Sequence, residues 1–272
     1  MILMLTAETE GGQLKGHPYW KSADYGLLKV EALSEKRVLL PYSRDSPKLS
    51  KSHDRPSMGR RRSTTPTTTA DDTHKDVKTP PAADPPHVII RKLALSHAGH
   101  PFAPLREITQ LQYSCWPDFG VPADPTHVLG LIEQCNDIVG TYSHRPDSSE
   151  PEPPGQRPVV VHCSAGCGRT GTFCTVDSVL DMFKRQKRRR SRASQPQQQG
   201  GMEADEVEAW LDRDDIDLVA KTVEDLRGQR LSMVQSLRQF VLCYETVLEW
   251  LVRQETGKGN ADGGEGGARG GS

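Results

Sequence analysis

The sequence predicts an α/β domain, a β-sheet flanked by helices, from three observations. Residues 158–161 read Pro-Val-Val-Val, a short apolar, β-branched run of the kind a buried central strand uses. A glycine-rich loop and then a helical pattern follow that run directly, so strand, turn and helix come in immediate succession. Elsewhere, strand-like runs precede residue 116, and three further stretches carry helical spacing.

Taken in chain order, Met1 to Leu5, Leu27 to Leu33 and Val38 to Leu40 are strand-like, and the polar stretch from Glu8 to Trp20 reads as a hairpin loop. Residues 43–86 are rich in Ser, Thr and Pro and nearly free of large apolar side chains, which predicts a disordered insertion. HVIIRKLAL, from His87, and REITQLQYSCW, from Arg106, are two more strands. Val128, Leu131, Ile132, Cys135, Ile138 and Val139 recur at helical spacing within 125–141, and Pro125 suits a first turn. A second insertion, 143–157, is rich in Pro, Glu and Ser. The helix beginning at Gly171 is expected to end near Lys184 and to pack Phe173, Val176, Val179, Leu180 and Phe183 on the sheet.

The basic run Lys184 to Arg192 then opens a third disordered insertion, 186–214. It reads as solvated loop charge balanced by the acidic stretch beyond it, with a nuclear-import or phosphate-rich-partner patch as the alternative. Helical patterns return at Ile216 to Leu226 and at Ser232 to Val252. One domain therefore spans 1–253, and 254–272 form a disordered, glycine-rich tail.

Composition narrows the function classes. Hydrophobic residues are 35% of the 272, with 20 Pro and 24 Gly, so part of the chain packs into no core. A net charge of −1 supplies no global field to recruit nucleic acid or a membrane surface. The opening MILML is too short for a signal-peptide core and lacks a basic flank, and no apolar stretch reaches spanning length. Cys115, Cys135, Cys163, Cys167, Cys174 and Cys243 form no CxxC pair, which points to a reducing setting, cytoplasmic or nuclear.

The chemistry is concentrated after residue 158. The apolar run delivers Cys163 to the C-terminal end of its strand, at the sheet-edge crevice. Ser164, Ala165, Gly166, Cys167 and Gly168 form a loop of small residues whose backbone N–H groups can turn inward as an anion nest. The positive end of the following helix backs that nest, which fits a phosphate dianion and pulls the thiol below its free value of about 8.5. Arg169 closes the loop with a planar fork suited to two phosphate oxygens, and Thr170 adds a hydroxyl.

HCSAGCGRTG, residues 162–171, resembles the HCxxGxxR[ST]G signature of the cysteine-dependent protein tyrosine phosphatases, with Cys167 where that family usually carries an aliphatic residue. WPDFGVP, residues 116–122, resembles the mobile acid loop of the tyrosine-specific branch. On that resemblance Asp118 is the general acid, and Trp116, Pro117, Gly120 and Pro122 shape a hinged loop. LSMVQSLRQFVLCY, residues 231–244, resembles the family's glutamine segment, with Gln235 orienting water and Gln239 beside it. ETEGGQLKGHPYW resembles the hairpin flanking the active site, which implies that Glu10 pairs with Arg169 and that Lys15 reaches toward the acid loop.

The resemblance implies a central mixed sheet flanked by helices, a phosphotyrosine protein phosphatase fold carrying disordered insertions. It also implies two-step displacement without metal or cofactor. Cys163 attacks phosphorus, the nest and Arg169 stabilise the equatorial oxygens, and Asp118 protonates the leaving phenol. Gln235 then places water, and Thr170 stabilises the departing thiolate. His162 supports the loop by hydrogen bonding rather than acting as a base. Substrate contacts fall to residues 164–168 and Gln239, and the partners implied are phosphotyrosine-containing proteins.

The resemblance covers roughly 160 residues in four blocks. It lacks the family's N-terminal helices, strands and Lys-Asn-Arg-Tyr type loop, so Met1 falls where the family enters an interior strand. Two other readings stay open: a dual-specificity phosphatase, whose shallower pocket accepts phosphoserine or phosphothreonine, and a regulatory phosphotyrosine-binding fragment. Cys167 is either a small residue filling the aliphatic site or a resolving thiol for an oxidised Cys163.

Overall fold

The computed structural model describes residues 1–40, 85–143, 158–193, 213 and 215–262. Among these residues, eight strands form two sheets. Six of them, β1 (Ile2–Met4), β4 (Ala23–Tyr25), β5 (Leu28–Leu39), β6 (His87–His97), β7 (Arg106–Gln112) and β8 (Val160–His162), make one sheet in the order β4-β5-β6-β7-β1-β8. The hairpin β2 (Thr9–Glu10) and β3 (Gln13–Leu14) stands apart. Among the described residues, four helices complete the fold: α1 (Thr126–Ser143), α2 (Gly168–Ala193), α3 (Leu218–Gln229) and α4 (Leu237–Asp262).

The sheet is mixed. β4, β5, β6 and β7 pair antiparallel in succession, whereas β1 is parallel to both β7 and β8. Side-chain alternation along β1 explains its interior place. Leu3 and Leu5 join the main core with Leu111, Tyr113, Val128, Leu131, Phe173, Val176, Val179, Leu180 and Leu242. Met4 points to the opposite face, where Trp20 and Leu93 form a second cluster. Helices therefore cover one face near the active strand, and the tail of the hairpin covers the other.

Four sequence expectations change. The two runs at Leu27 to Leu33 and Val38 to Leu40 belong to one strand, β5, joined through a register shift between Ala32 and Ser34. Their apolar period is interrupted by Glu35, Lys36 and Arg37, which a mostly exposed strand tolerates. Helix α2 continues to Ala193, so residues 186–193 are helical and not part of a disordered insertion. Lys and Arg are strong helix formers, and the Asp181–Arg185 pair at 2.6 Å, one turn apart, supports the extension.

Similarly, α4 continues past Val252 to Asp262, into the stretch expected as tail. Finally, residues 232–236 are a loop. Ser232 and Val234 have φ of 66° and 58°, and Arg227 fixes the loop by donating to the carbonyls of Met233 and Val234, both at 2.9 Å. The insertions expected at 43–86 and 143–157 lie outside the described residues, apart from Pro85, Pro86 and Ser143. Among the described residues no helix is long and apolar enough to cross a membrane.

Candidate active site

β8 ends at His162, and the chain then turns through Cys163 to Cys167 before α2 begins at Gly168. Gly166, with φ of 70°, makes the turn possible. Cys163 is buried, and burial alone would push its thiol up. Hydrogen bonding outweighs burial and holds the thiol below its ordinary range. The donors are the Thr170 hydroxyl and the backbone N–H groups of Thr170, Gly166 and Cys167. The buried Thr170 hydroxyl has no nitrogen or oxygen partner, consistent with a role toward the sulfur.

Arg169 is 1% exposed and is held from three directions. Its Nη1 donates to Glu10 Oε1 at 2.6 Å and to the Trp116 carbonyl at 2.9 Å, and its Nη2 donates to Asp118 Oδ1 at 3.2 Å. Its Nε is buried with no hydrogen-bond partner, as is Glu10 Oε2. Glu10 also accepts from the Thr6 hydroxyl at 2.7 Å, which ties the hairpin to the end of β1. Lys15 donates to Asp118 Oδ2 at 3.1 Å. The hairpin thus supplies a carboxylate to the arginine and an ammonium to the acid loop.

The acid loop is stitched to its surroundings. Trp116 is fully buried and its Nε1 donates to the Gly120 carbonyl at 3.0 Å, closing the turn over Phe119, whose φ is 55°. Gln239 Nε2 donates to the same carbonyl at 3.3 Å, and the Ser236 hydroxyl donates to the Phe119 carbonyl at 3.3 Å. Gln239 Oε1 accepts from the N–H groups of Gln235 and Ser236 at 3.1 and 3.3 Å. A Cβ placed on Gly168 would lie 2.9 Å from both Gln235 Oε1 and Gln239 Oε1. Both glutamines therefore crowd the start of α2, and the loop of positive-φ residues brings them there.

The structure gathers Cys163, residues 164–168, Arg169, Thr170, Asp118, Trp116, Glu10, Lys15, Gln235 and Gln239 around one loop. His162 lies beneath it, its Nδ1 3.1 Å from the Cys163 carbonyl and its Nε2 2.7 Å from the Tyr19 hydroxyl. The Cys167 backbone N–H serves Cys163, while its thiol contacts Arg230 Nε at 3.4 Å and the Ala165 carbonyl at 3.5 Å. Arg230 Nη2 also donates to the Ala165 carbonyl at 2.9 Å. Sequence reading missed Arg230, Tyr19, Thr6 and Ser236. Arg230 and Ser236 adjoin or fall within the glutamine segment and Tyr19 lies within the hairpin motif, so proximity to a motif was the available signal.

A mixed sheet flanked by helices, with a cysteine and an arginine bracketing an anion loop, defines an α/β domain of the phosphotyrosine phosphatase type. Residues 63–196 match the family model described as protein-tyrosine phosphatase. The chain is 32% identical over 161 residues to tyrosine-protein phosphatase 3 of Saccharomyces cerevisiae, an overlap of 59% of this chain and 15% of that protein. Over 78 residues it is 44% identical to human tyrosine-protein phosphatase non-receptor type 18, covering 29% of this chain and 14% of that one. The crystal structure of the catalytic domain of human protein tyrosine phosphatase non-receptor type 18 shares the fold, with a TM-score of 0.50 at 24% identity. That overlap covers 92% of this chain and 59% of the solved one. Family match, relatives and fold all liken the chain to the protein tyrosine phosphatases. It spans 15% and 20% of the length of the first two curated relatives it matches.

Proposed function

We propose that this chain hydrolyses phosphotyrosine on proteins through a cysteinyl-phosphate intermediate. One observation carries the reading: a thiol held below its ordinary range sits in a loop closed by an arginine whose buried Nε has no partner. Such an N–H is costly to bury unless a ligand accepts from it, and a phosphate oxygen is the acceptor that suits a guanidinium fork. Solved structures of the type 18 relative are described in complex with HER2 phosphopeptides, which supports phosphorylated peptide segments as the substrate class.

In the first step the Cys163 thiolate attacks phosphorus, the sulfur–phosphorus bond forms, and the phosphorus–oxygen bond to tyrosine breaks. Asp118 gives its proton to the leaving phenolate oxygen. Arg169 and the N–H groups of the loop stabilise the three equatorial oxygens. Phosphate binding competes with Asp118 for Arg169 Nη2 and turns the carboxyl toward the leaving oxygen. In the second step Gln235 and Gln239 hold a water, Asp118 takes its proton, and hydroxide oxygen displaces sulfur, with Thr170 stabilising the thiolate. Glu10 keeps the guanidinium in plane, and Lys15 and Trp116 set the acid loop. A working thiolate requires a reducing compartment, and cytoplasm or nucleus satisfies that.

Phosphate release from a phosphotyrosine peptide by the purified chain tests this, with phosphothreonine peptide as the comparison. Release is expected only from phosphotyrosine and is abolished by Cys163→Ser. Undiminished release by that variant, or none from folded wild type, rejects the mechanism.

A further inference from the structure

A line of hydrogen bonds runs from Arg91 on β6 to the carbonyl of Cys163, and its direction is fixed from the Arg91 end. Arg91 is buried, lies 4.9 Å from the Trp20 ring centre and donates from Nε to Glu35 at 2.6 Å. A guanidinium can only donate. Its Nη1 meets Gln110 at 3.0 Å and Gln112 at 2.7 Å, so both glutamines turn their carbonyl oxygens to it. The Gln110 amide nitrogen then faces the other way and donates to the Tyr19 hydroxyl at 3.0 Å, with the Met4 sulfur 3.6 Å away as its second acceptor.

The Tyr19 oxygen therefore accepts from Gln110, and its own hydrogen goes to the remaining neighbour, His162 Nε2, at 2.7 Å. A ring nitrogen that accepts carries no hydrogen. The neutral imidazole then carries it on Nδ1, 3.1 Å from the Cys163 carbonyl.

We propose that Gln110 is a positioning residue which, held by Arg91, sets the polarity of Tyr19 and places the His162 hydrogen on Nδ1, where it pins the Cys163 carbonyl. The functional consequence rests on Cys163 being the nucleophile proposed above. The opposite tautomer would set a ring lone pair against that carbonyl and push away the turn that carries the thiol. Gln110 is fully buried, so its amide recovers its desolvation only if both ends are bonded as described. Burial also pushes the Tyr19 phenol up, which keeps its hydrogen in place. Three strands and the hairpin tail supply the line, which explains why no local motif announces it.

Long-range ¹⁵N–¹H correlation spectra of the full chain, with labelled histidine and His162→Asn for assignment, report which ring nitrogen bears the hydrogen. Wild type is expected to show Nδ1–H. Gln110→Glu keeps the side-chain shape and the acceptor for Arg91, yet it cannot donate. Tyr19 then donates to the new carboxylate and offers a lone pair to His162. The hydrogen is expected to move to Nε2, and iodoacetate alkylation of Cys163 to slow about tenfold.

Nε2–H in wild type overturns the proposal, as does unchanged Nδ1–H in a natively dispersed Gln110→Glu spectrum. Should that variant fail to fold, Tyr19→Phe decides, because a fully retained Nδ1–H without the hydroxyl also overturns it. Loss of phosphate release from wild type would reject the phosphatase reading alone and leave the tautomer result standing.

Discussion

Arg169 shows how a buried charge is made tolerable and useful at once. Glu10, Asp118 and the Trp116 carbonyl satisfy its two terminal nitrogens, leaving Nε without a partner. Removing Glu10 takes the shortest carboxylate partner from a guanidinium that is 1% exposed and leaves it the Trp116 carbonyl and Asp118, and breaking such a pair from one side costs about 3 kcal/mol. Glu10→Ala is therefore expected to lower the urea midpoint clearly, while Glu10→Gln, which still accepts from Nη1, costs less. A second expectation concerns Thr170. Its hydroxyl is one of the groups holding Cys163 below the ordinary thiol range, so Thr170→Ala should move the pH profile of iodoacetate alkylation upward. The sign extends to stability: a depressed thiol pKa stabilises the fold above the unfolded thiol value, and that share is lost as pH falls through the folded one. Glu10 and Lys15 were legible because a thirteen-residue motif carries them. Tyr19 and His162 lie 143 residues apart, and no periodicity or composition encodes such a contact.

Among the elements, the first turn of α2 is the one with no room to spare. A Cβ on Gly171 would sit 2.6 Å from the Val234 backbone nitrogen and 3.2 Å from Met233 backbone atoms. Gly171→Ala is expected to destabilise the fold by about 1–3 kcal/mol and to displace Gln235, lowering turnover more than peptide affinity. Helix α1 carries a different strain. Burial, reinforced by Asp137, pushes the Glu133 carboxyl up to about 7, with Arg253 and Lys184 opposing. The folded state therefore holds this proton while the unfolded chain, near 4.3, has lost it. Stability falls as pH rises from about 4 to about 7 and does not return above that. Glu133→Gln should flatten that slope and add about 1–2 kcal/mol at pH 8, after solvent screening is allowed for, and thermal melts at pH 5 and 8 check it. Helical spacing located the four helices of the described residues. It misjudged their ends because a basic run reads as loop by charge, whereas helix propensity and i,i+4 pairing carry α2 to Ala193.

Across the whole molecule, the strands of the main sheet other than β4 were legible, and strand order was not. β1 comes first in the chain yet lies between β7 and β8, an arrangement set by long-range packing of Leu3 and Leu5 on one face and Met4 on the other. The composition shift after Leu40 was equally plain, and the structure says what that segment must join. Leu39 pairs with His87 in register, and the Leu40 N–H donates to the Pro86 carbonyl at 3.0 Å, so the ends of residues 41–84 meet across one hairpin. Closing a loop of n residues costs about (3/2)RT ln n, and replacing residues 44–83 by a six-residue Gly/Ser linker lowers that by about 1–2 kcal/mol. The shortened chain is expected to melt about 2–8 °C higher, because the β5–β6 ladder and the site across β7 and β1 are unchanged. Its phosphate release from a phosphotyrosine peptide should match that of the full chain. A lower melting temperature would mean that the segment packs on the sheet and supplies more stability than its closure entropy removes. Unchanged melting with lost release would instead make it part of substrate recognition.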